Sequence, residues 1–181
     1  IGSLGIPEDE PIQHGFITRS LESAQEKIEG FNFDSRKNIL SYDDVLSSQR
    51  TSVYKRRTKL VHNDAEYMKD LADEIRSSLD DAGREKFDAA REQVGDNNWY
   101  ETLRRVAMFV IDRLWTDHLE TMDNARSSVN LRAMGQREPI VEYKREGLRL
   151  FRELEANYVS QVADIMKNLD VNATQNGESG N

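Results

Sequence analysis

Ile17-Thr18-Arg19-Ser20-Leu21-Glu22-Ser23-Ala24-Gln25-Glu26-Lys27-Ile28-Glu29-Gly30-Phe31 carries its apolar side chains at Ile17, Leu21, Ala24, Ile28 and Phe31. Steps of four and three residues place these side chains on one face of an α-helix. The stripe resumes in register at Ile39, Tyr42, Leu46, Val53 and Leu60, so one heptad-like seam predicts a helix over 17–62. Gly30 lies inside the pattern, where glycine costs about 1 kcal/mol relative to alanine and marks a place for a kink or break. A helix of about 45 residues would be about 65 Å long, more than a small globule can cover, and its length reads as a strut.

The segments on either side follow the same logic. Gly2, Gly5, Pro7 and Pro11 make 1–16 an extended connector, and Asn63-Asp64 offers an N-cap for a shorter helix carrying Met68, Leu71, Ile75 and Leu79. A break at Ala82-Gly83 and a weaker helix with Phe87, Ala90 and Val94 complete 63–98. The run Gly95-Asp96-Asn97-Asn98 reads as a loop, with Asn98 as the cap of the next helix. A long apolar stripe from Trp99 to Val129 and another from Ile140 to Leu169 predict two helices over 99–170. The turn between them ends at Pro139, a residue suited to a first helical position. Helices joined by so short a turn must pack antiparallel. The small and polar residues 171–181 read as a disordered tail. No alternating strand pattern occurs, so the expected fold is all-α: a long helix packed with an antiparallel two-helix hairpin, plus a small helical appendage.

Composition narrows the function classes. The 181 residues have a net charge of −8, which disfavours binding to phosphate backbones, and no nucleic-acid partner is expected. The absence of cysteine removes disulfides, thiolate zinc sites and cysteine nucleophiles together. The longest apolar run, Val106 to Ile111, is far too short to span a bilayer. No charged-then-apolar leader opens the chain, and Ile1 in place of Met suggests a segment of a longer protein.

Catalytic patterns are missing. No glycine is followed by lysine, so the phosphate-cradling G-x-x-x-x-G-K-[ST] loop cannot form, and there is no GxSxG elbow. The Glu-x-x-His pattern of carboxylate-bridged di-metal bundles fails, because Lys59 precedes His62 and Trp115 precedes His118. His118 with Met122 reads as core packing rather than a haem ligand pair. Asp43-Asp44 lies within a helical pattern rather than at a strand end, which favours salt bridging over magnesium binding. The cluster Arg50, Lys55, Arg56, Arg57 and Lys59 complements the helix dipole at the end of the first helix, with a minor contact to anionic lipid headgroups as the alternative.

Two blocks carry a family resemblance. Ala24-Gln25-Glu26-Lys27-Ile28-Glu29-Gly30-Phe31-Asn32-Phe33-Asp34-Ser35-Arg36-Lys37-Asn38-Ile39-Leu40-Ser41-Tyr42-Asp43-Asp44-Val45, followed by Gln49-Arg50, resembles a signature of the SecA protein-export motors. Leu114-Trp115-Thr116-Asp117-His118-Leu119, then Met122-Asp123, Leu131-Arg132, Gln136, Pro139 and Glu142-Tyr143-Lys144-Arg145-Glu146, resembles a second. The first block corresponds in that family to the long scaffold helix, and the second to the two-helix finger. The resemblance implies that 1–16 is a connector from a nucleotide-binding domain, 17–62 the scaffold helix, 63–98 a reduced helical wing and 99–170 the finger. It places ATP and magnesium in motor domains outside this chain, which itself would have no cofactor, no metal and no enzymatic activity.

On the same resemblance, Arg36, Tyr42, Asp43, Asp44, Gln49 and Arg50 are expected to meet the motor domains. Trp115 and His118 would pack the finger. Arg132, Ala133, Met134, Gly135, Gln136 and Arg137 would form the tip that meets the SecY channel and the preprotein. Methionine replaces the tyrosine that the family usually carries at the tip. The family's cysteine-rich zinc tail has no counterpart in 171–181. The implied location is the bacterial cytoplasm, peripheral to the membrane in a full-length parent, and the exposed seam of the isolated chain implies self-association. A free-standing SecA-derived adaptor without a motor is the alternative. A plain coiled coil has no account of Asn32, Asp34, Arg36, Asp43 and Asp44 on one helix.

Overall fold

The computed structural model describes residues 10–132 and 138–169, with side chains from residue 14 onward. Five helices follow one another: α1 (Glu10–Val61), α2 (Ala65–Ser78), α3 (Asp81–Val94), α4 (Asp96–Arg132) and α5 (Pro139–Lys167). No strand occurs among the described residues. The fold is all-α, with a long helix and a helical hairpin. The chain divides into two compact units, 1–43 and 44–181.

The first unit contributes the leading part of α1. This helix begins at Glu10, inside the segment read as a connector, and continues through Gly30 without a break. One glycine costs too little to interrupt a helix of 52 residues, each of whose turns its neighbours extend. Ile17, Leu21, Ile28, Phe31 and Ile39 are all exposed here, so this leading part of the seam that predicted the helix is uncovered.

The second unit is built on three helices. The end of α1 runs antiparallel to α4, since Gln49 meets His118 and Arg57 meets Asp112. It runs parallel to α5, where Gln49 meets Gly147 and Arg56 meets Glu155. Helices α4 and α5 form the antiparallel hairpin, with Arg113 donating to Gln161 at one level and Phe151 against His118 at another. Their shared core contains Leu60, Leu103, Val110, Ile111, Leu154, Tyr158 and Val162.

Local chemistry sets the helix ends. Asn63 takes a left-handed φ of 51° after α1. The Asp64 N–H donates to the Lys59 carbonyl at 3.0 Å and the Asn63 N–H to the Leu60 carbonyl at 3.2 Å, closing a Schellman motif. Asp64 then caps α2 by accepting from the Tyr67 N–H at 2.8 Å.

The next break falls at Leu79-Asp80, not at Ala82-Gly83. Asp80 caps α3 by accepting from the Gly83 N–H at 2.7 Å, which places Gly83 inside the first turn. A Cβ on Gly83 would stand 2.8 Å from Asp80 Oδ1 and 3.2 Å from Leu79 Cβ, so close approach accounts for the glycine. The expected loop at 95–98 is also mostly helix. Gly95, with φ of 81°, ends α3, and α4 begins at the next residue. The Gly95 carbonyl accepts from the Trp99 N–H at 2.9 Å.

Helices α2 and α3 pack as a helical pair against the hairpin. Trp99 is fully buried, with Phe87 and Tyr100 edge-on at 5.1 and 5.2 Å. A bidentate pair from Arg76 to Asp88, at 2.9 and 2.8 Å, joins α2 to α3.

Candidate functional site

Three helices converge on one buried polar node. Gln49 and His118 are the two polar side chains buried in the core among the described residues, 7% and 5% exposed. Gln49 Nε2 donates to the Gly147 carbonyl at 2.9 Å, and Gln49 Oε1 lies 2.7 Å from His118 Nε2. The carbonyl can only accept, so the amide nitrogen must face it and the amide oxygen must face the histidine. His118 therefore carries its proton on Nε2 and donates it to Gln49. Each of α1, α4 and α5 supplies one member.

Gly147 makes this approach possible. A Cβ there would stand 3.0 Å from Met122 Cε, 3.2 Å from Val45 Cγ1 and 3.5 Å from Gln49 Nε2. Its carbonyl accepts the Gln49 bond on a lone pair that the helix ladder leaves open. The only sequence signal for this role was a glycine at a position where the stripe asks for an apolar side chain.

The His118 ring is stacked into the hairpin. Trp115 lies 5.5 Å away at a tilt of 31°, and Phe151 lies 5.9 Å away at 59°. Burial of the ring lowers the His118 pKa below its ordinary value, which favours the neutral form that the node uses.

Charged pairs flank the node on the inner side of α1. Arg56 reaches Glu155 at 3.3 Å with its guanidinium 4.8 Å from the Tyr158 ring centre. Arg57 meets Asp112 at 2.9 and 3.3 Å, and that carboxylate raises the arginine pKa. The hydroxyls of Tyr67 and Tyr158 lie 3.4 Å apart, and burial raises the pKa of each. Sequence periodicity placed Arg56 and Arg57 in a basic cluster, but could not show that they pair with carboxylates on α5 and α4.

The expected site residues thus fall into separate groups. Arg36, Asp43, Asp44 and Arg50 are exposed on α1. Tyr42 is buried, 8% exposed. Gln49, expected at the motor-facing surface, instead has both ends of its amide engaged in the core. His118 is buried against α1 and the half-buried Trp115 stacks beside it. Arg132 is exposed at the end of α4 and, after Arg149, helps hold the Glu146 carboxyl below its usual range. Ala133, Met134, Gly135, Gln136 and Arg137 lie outside the described residues.

Among the described residues, no cluster of His, Asp and Glu is arranged to hold a metal ion. No described helix is long and apolar enough to cross a membrane. A groove of about 1140 Å³ opens between the end of α2 and the faces of α4 and α5. Its cations Arg113 and Lys167 are engaged with Gln161 and Asp164, each at 3.2 Å. The second unit thus holds a hydrogen-bonded joint between three helices, with exposed faces around it.

Comparison with known proteins locates this architecture. A family profile described as SecA Wing and Scaffold domain matches residues 11–82 and 63–170. The chain is 30% identical to the protein translocase subunit SecA of Pelotomaculum thermopropionicum, a match covering 88% of this chain and 24% of that protein. Identity to SecA of Desulfotalea psychrophila is 31%, covering 93% of this chain and 26% of the relative. SecA 1 of Thermobifida fusca is 27% identical, with 97% and 24% covered. The chain spans about a quarter of the length of these relatives. The Pelotomaculum alignment runs over 211 positions against the 181 residues here, so the relative carries additional residues within the matched span.

Proposed function

Because this chain belongs to the SecA wing and scaffold family, we propose that it is the helical coupling segment of an ATP-driven protein translocase. Its task is to transmit motion between motor domains and a channel-facing finger. The observation that carries this reading is the Gln49–His118–Gly147 node, which ties the scaffold helix to both helices of the hairpin. A rotation or shift of α1 by one residue would break two buried hydrogen bonds, so the joint resists slippage.

In this reading α1 presents Arg36, Asp43, Asp44 and Arg50 to the motor domains, where ATP and magnesium would bind. Residues 132–137 would meet the SecY channel and the preprotein. Residues 63–98 act as a shortened wing. The segment by itself would not hydrolyse ATP, since its 181 residues hold no phosphate loop. The parent would work in the bacterial cytoplasm, peripherally bound to the membrane.

The test separates transport from folding. Met134→Asp should leave the melting curve of this chain nearly unchanged and should impair preprotein transport when placed in the full motor. Met134→Tyr should be tolerated in both assays. Normal transport by the Asp variant would remove the finger tip from the mechanism.

A further inference from the structure

We propose that Arg56 is a positioning residue that works as a latch: through it the end of α1 holds the α2–α3 pair onto the hairpin, so that α1 and α2 let go together. Three helices meet at this point, about two turns beyond Gln49 along α1. Tyr158 on α5 is 1% exposed, and its hydroxyl lies 3.4 Å from the Tyr67 hydroxyl on α2. Arg56 on α1 holds its guanidinium 4.8 Å from the centre of the Tyr158 ring and 3.3 Å from Glu155, one turn earlier on α5. Lys59, one turn further along α1, lies 5.5 Å over the Tyr67 ring. Two cations of α1 thus each cover one ring of a tyrosine pair that joins α2 to α5.

The hydroxyl contact is the weak element. Hydroxyl pairs prefer about 2.7–2.8 Å, so at 3.4 Å this one holds α2 only loosely by itself. Burial raises the pKa of both phenols, so both stay protonated and neither can form an ion pair that would tighten the contact. The cations keep the two rings in place. A guanidinium is drawn to the negative face of an aromatic ring, more strongly away from water, and the Glu155 carboxylate holds the fork in that position. The Arg56 side chain is 25% exposed, whereas that of Arg57 is 41% exposed and bonds to Asp112 on α4 instead.

The apolar side chains around the latch make the two helices depend on each other. Leu60 of α1, Met68 and Leu71 of α2 and Val162 of α5 belong to one core. Lifting α1 removes Arg56 from Tyr158 and Lys59 from Tyr67, and it also opens the core on which α2 rests. Lifting α2 takes Tyr67 from beneath Lys59 and leaves the buried Tyr158 hydroxyl without its partner. Each helix therefore stabilises the seating of the other, and such coupling is reciprocal. The latch is a property of this chain alone and operates without motor, channel or nucleotide.

Native-state hydrogen exchange on the whole chain tests it, because the opening of each helix is read separately. Arg56→Met keeps the length and apolar stem of the side chain and removes the guanidinium. It should speed exchange of the α2 amides from Met68 to Ile75 at least about fivefold, the lower end of ordinary coupling between sites. The α4 amides from Met122 to Val129, far from the latch, should change by less than about twofold. Tyr67→Phe should act in reverse and speed the α1 amides from Val53 to Leu60. Arg57→Met, at the neighbouring cation, should leave the α2 rates as they are. Circular dichroism checks that each variant folds. If Arg56→Met does not fold, Arg56→Lys carries the same test with a smaller acceleration, since lysine keeps a charge near the ring and loses the fork. Unchanged α2 exchange in the Arg56 variant, or an equal acceleration in Arg57→Met, overturns the proposal. A rise of the same size in every helix also overturns it, because Arg56 would then be an ordinary packing residue.

Discussion

Gln49→Met and His118→Leu, made singly and together, test whether the buried node is a joint or a pair of independent packing residues. Methionine has nearly the length and volume of glutamine, so Gln49→Met leaves no large cavity and removes only the amide. It strips the acceptor 2.7 Å from His118 Nε2 and leaves a buried N–H without a partner. That desolvated donor costs about 1–3 kcal/mol. The Gly147 carbonyl loses its second bond but keeps the helix ladder, so this part of the loss is small.

His118→Leu orphans Gln49 Oε1 at a similar cost and also loses ring contacts to Trp115 and Phe151. In the double variant neither polar partner remains, and the combined loss should fall short of the sum of the singles by about 1–2 kcal/mol. Urea unfolding followed by circular dichroism, well above the ordinary histidine titration range, gives the three values. Additive losses would refute the reasoning, because a shared hydrogen bond cannot be lost twice.

Lowering pH probes the same residue. Burial holds the His118 pKa below its ordinary 6.5, so the unfolded chain takes up the proton first as pH falls. This contribution to stability is full above about 6.5 and declines below it until the folded pKa is reached, and His118→Leu should flatten that part of a stability–pH profile. Gly83→Ala should destabilise the α2–α3 pair by about 1–3 kcal/mol, despite the better helix propensity of alanine, because its Cβ meets Asp80 and Leu79. An unchanged urea midpoint would mean that the cap yields freely. The uncovered apolar residues of α1 predict self-association, to be read as a rise of mass with concentration in light scattering. A strictly monomeric mass at high concentration would count against that expectation.

Helical class and the hairpin were legible in the linear pattern because apolar spacing of three and four is a property of neighbours along one helix, whereas the family was legible only through two blocks of residues that resemble SecA. The ends of α2 and α3 were less so. Gly83 and Gly95 look alike as breakers, yet one sits inside a helix for want of space and the other ends a helix at positive φ. Periodicity reports which residues share a face, but not which partner meets that face.

The sequence by itself therefore determined the all-α class, the long first helix, the hairpin and the residues resembling a SecA scaffold and finger. Only the tertiary structure placed Gln49 in the core with His118, required glycine at position 147 and paired Arg56 and Arg57 of the basic cluster with Glu155 and Asp112. Those features depend on distances between residues that lie 25–102 positions apart in the chain. Contacts of that range are set by how three helices pack together, and no local pattern along any one of them encodes it.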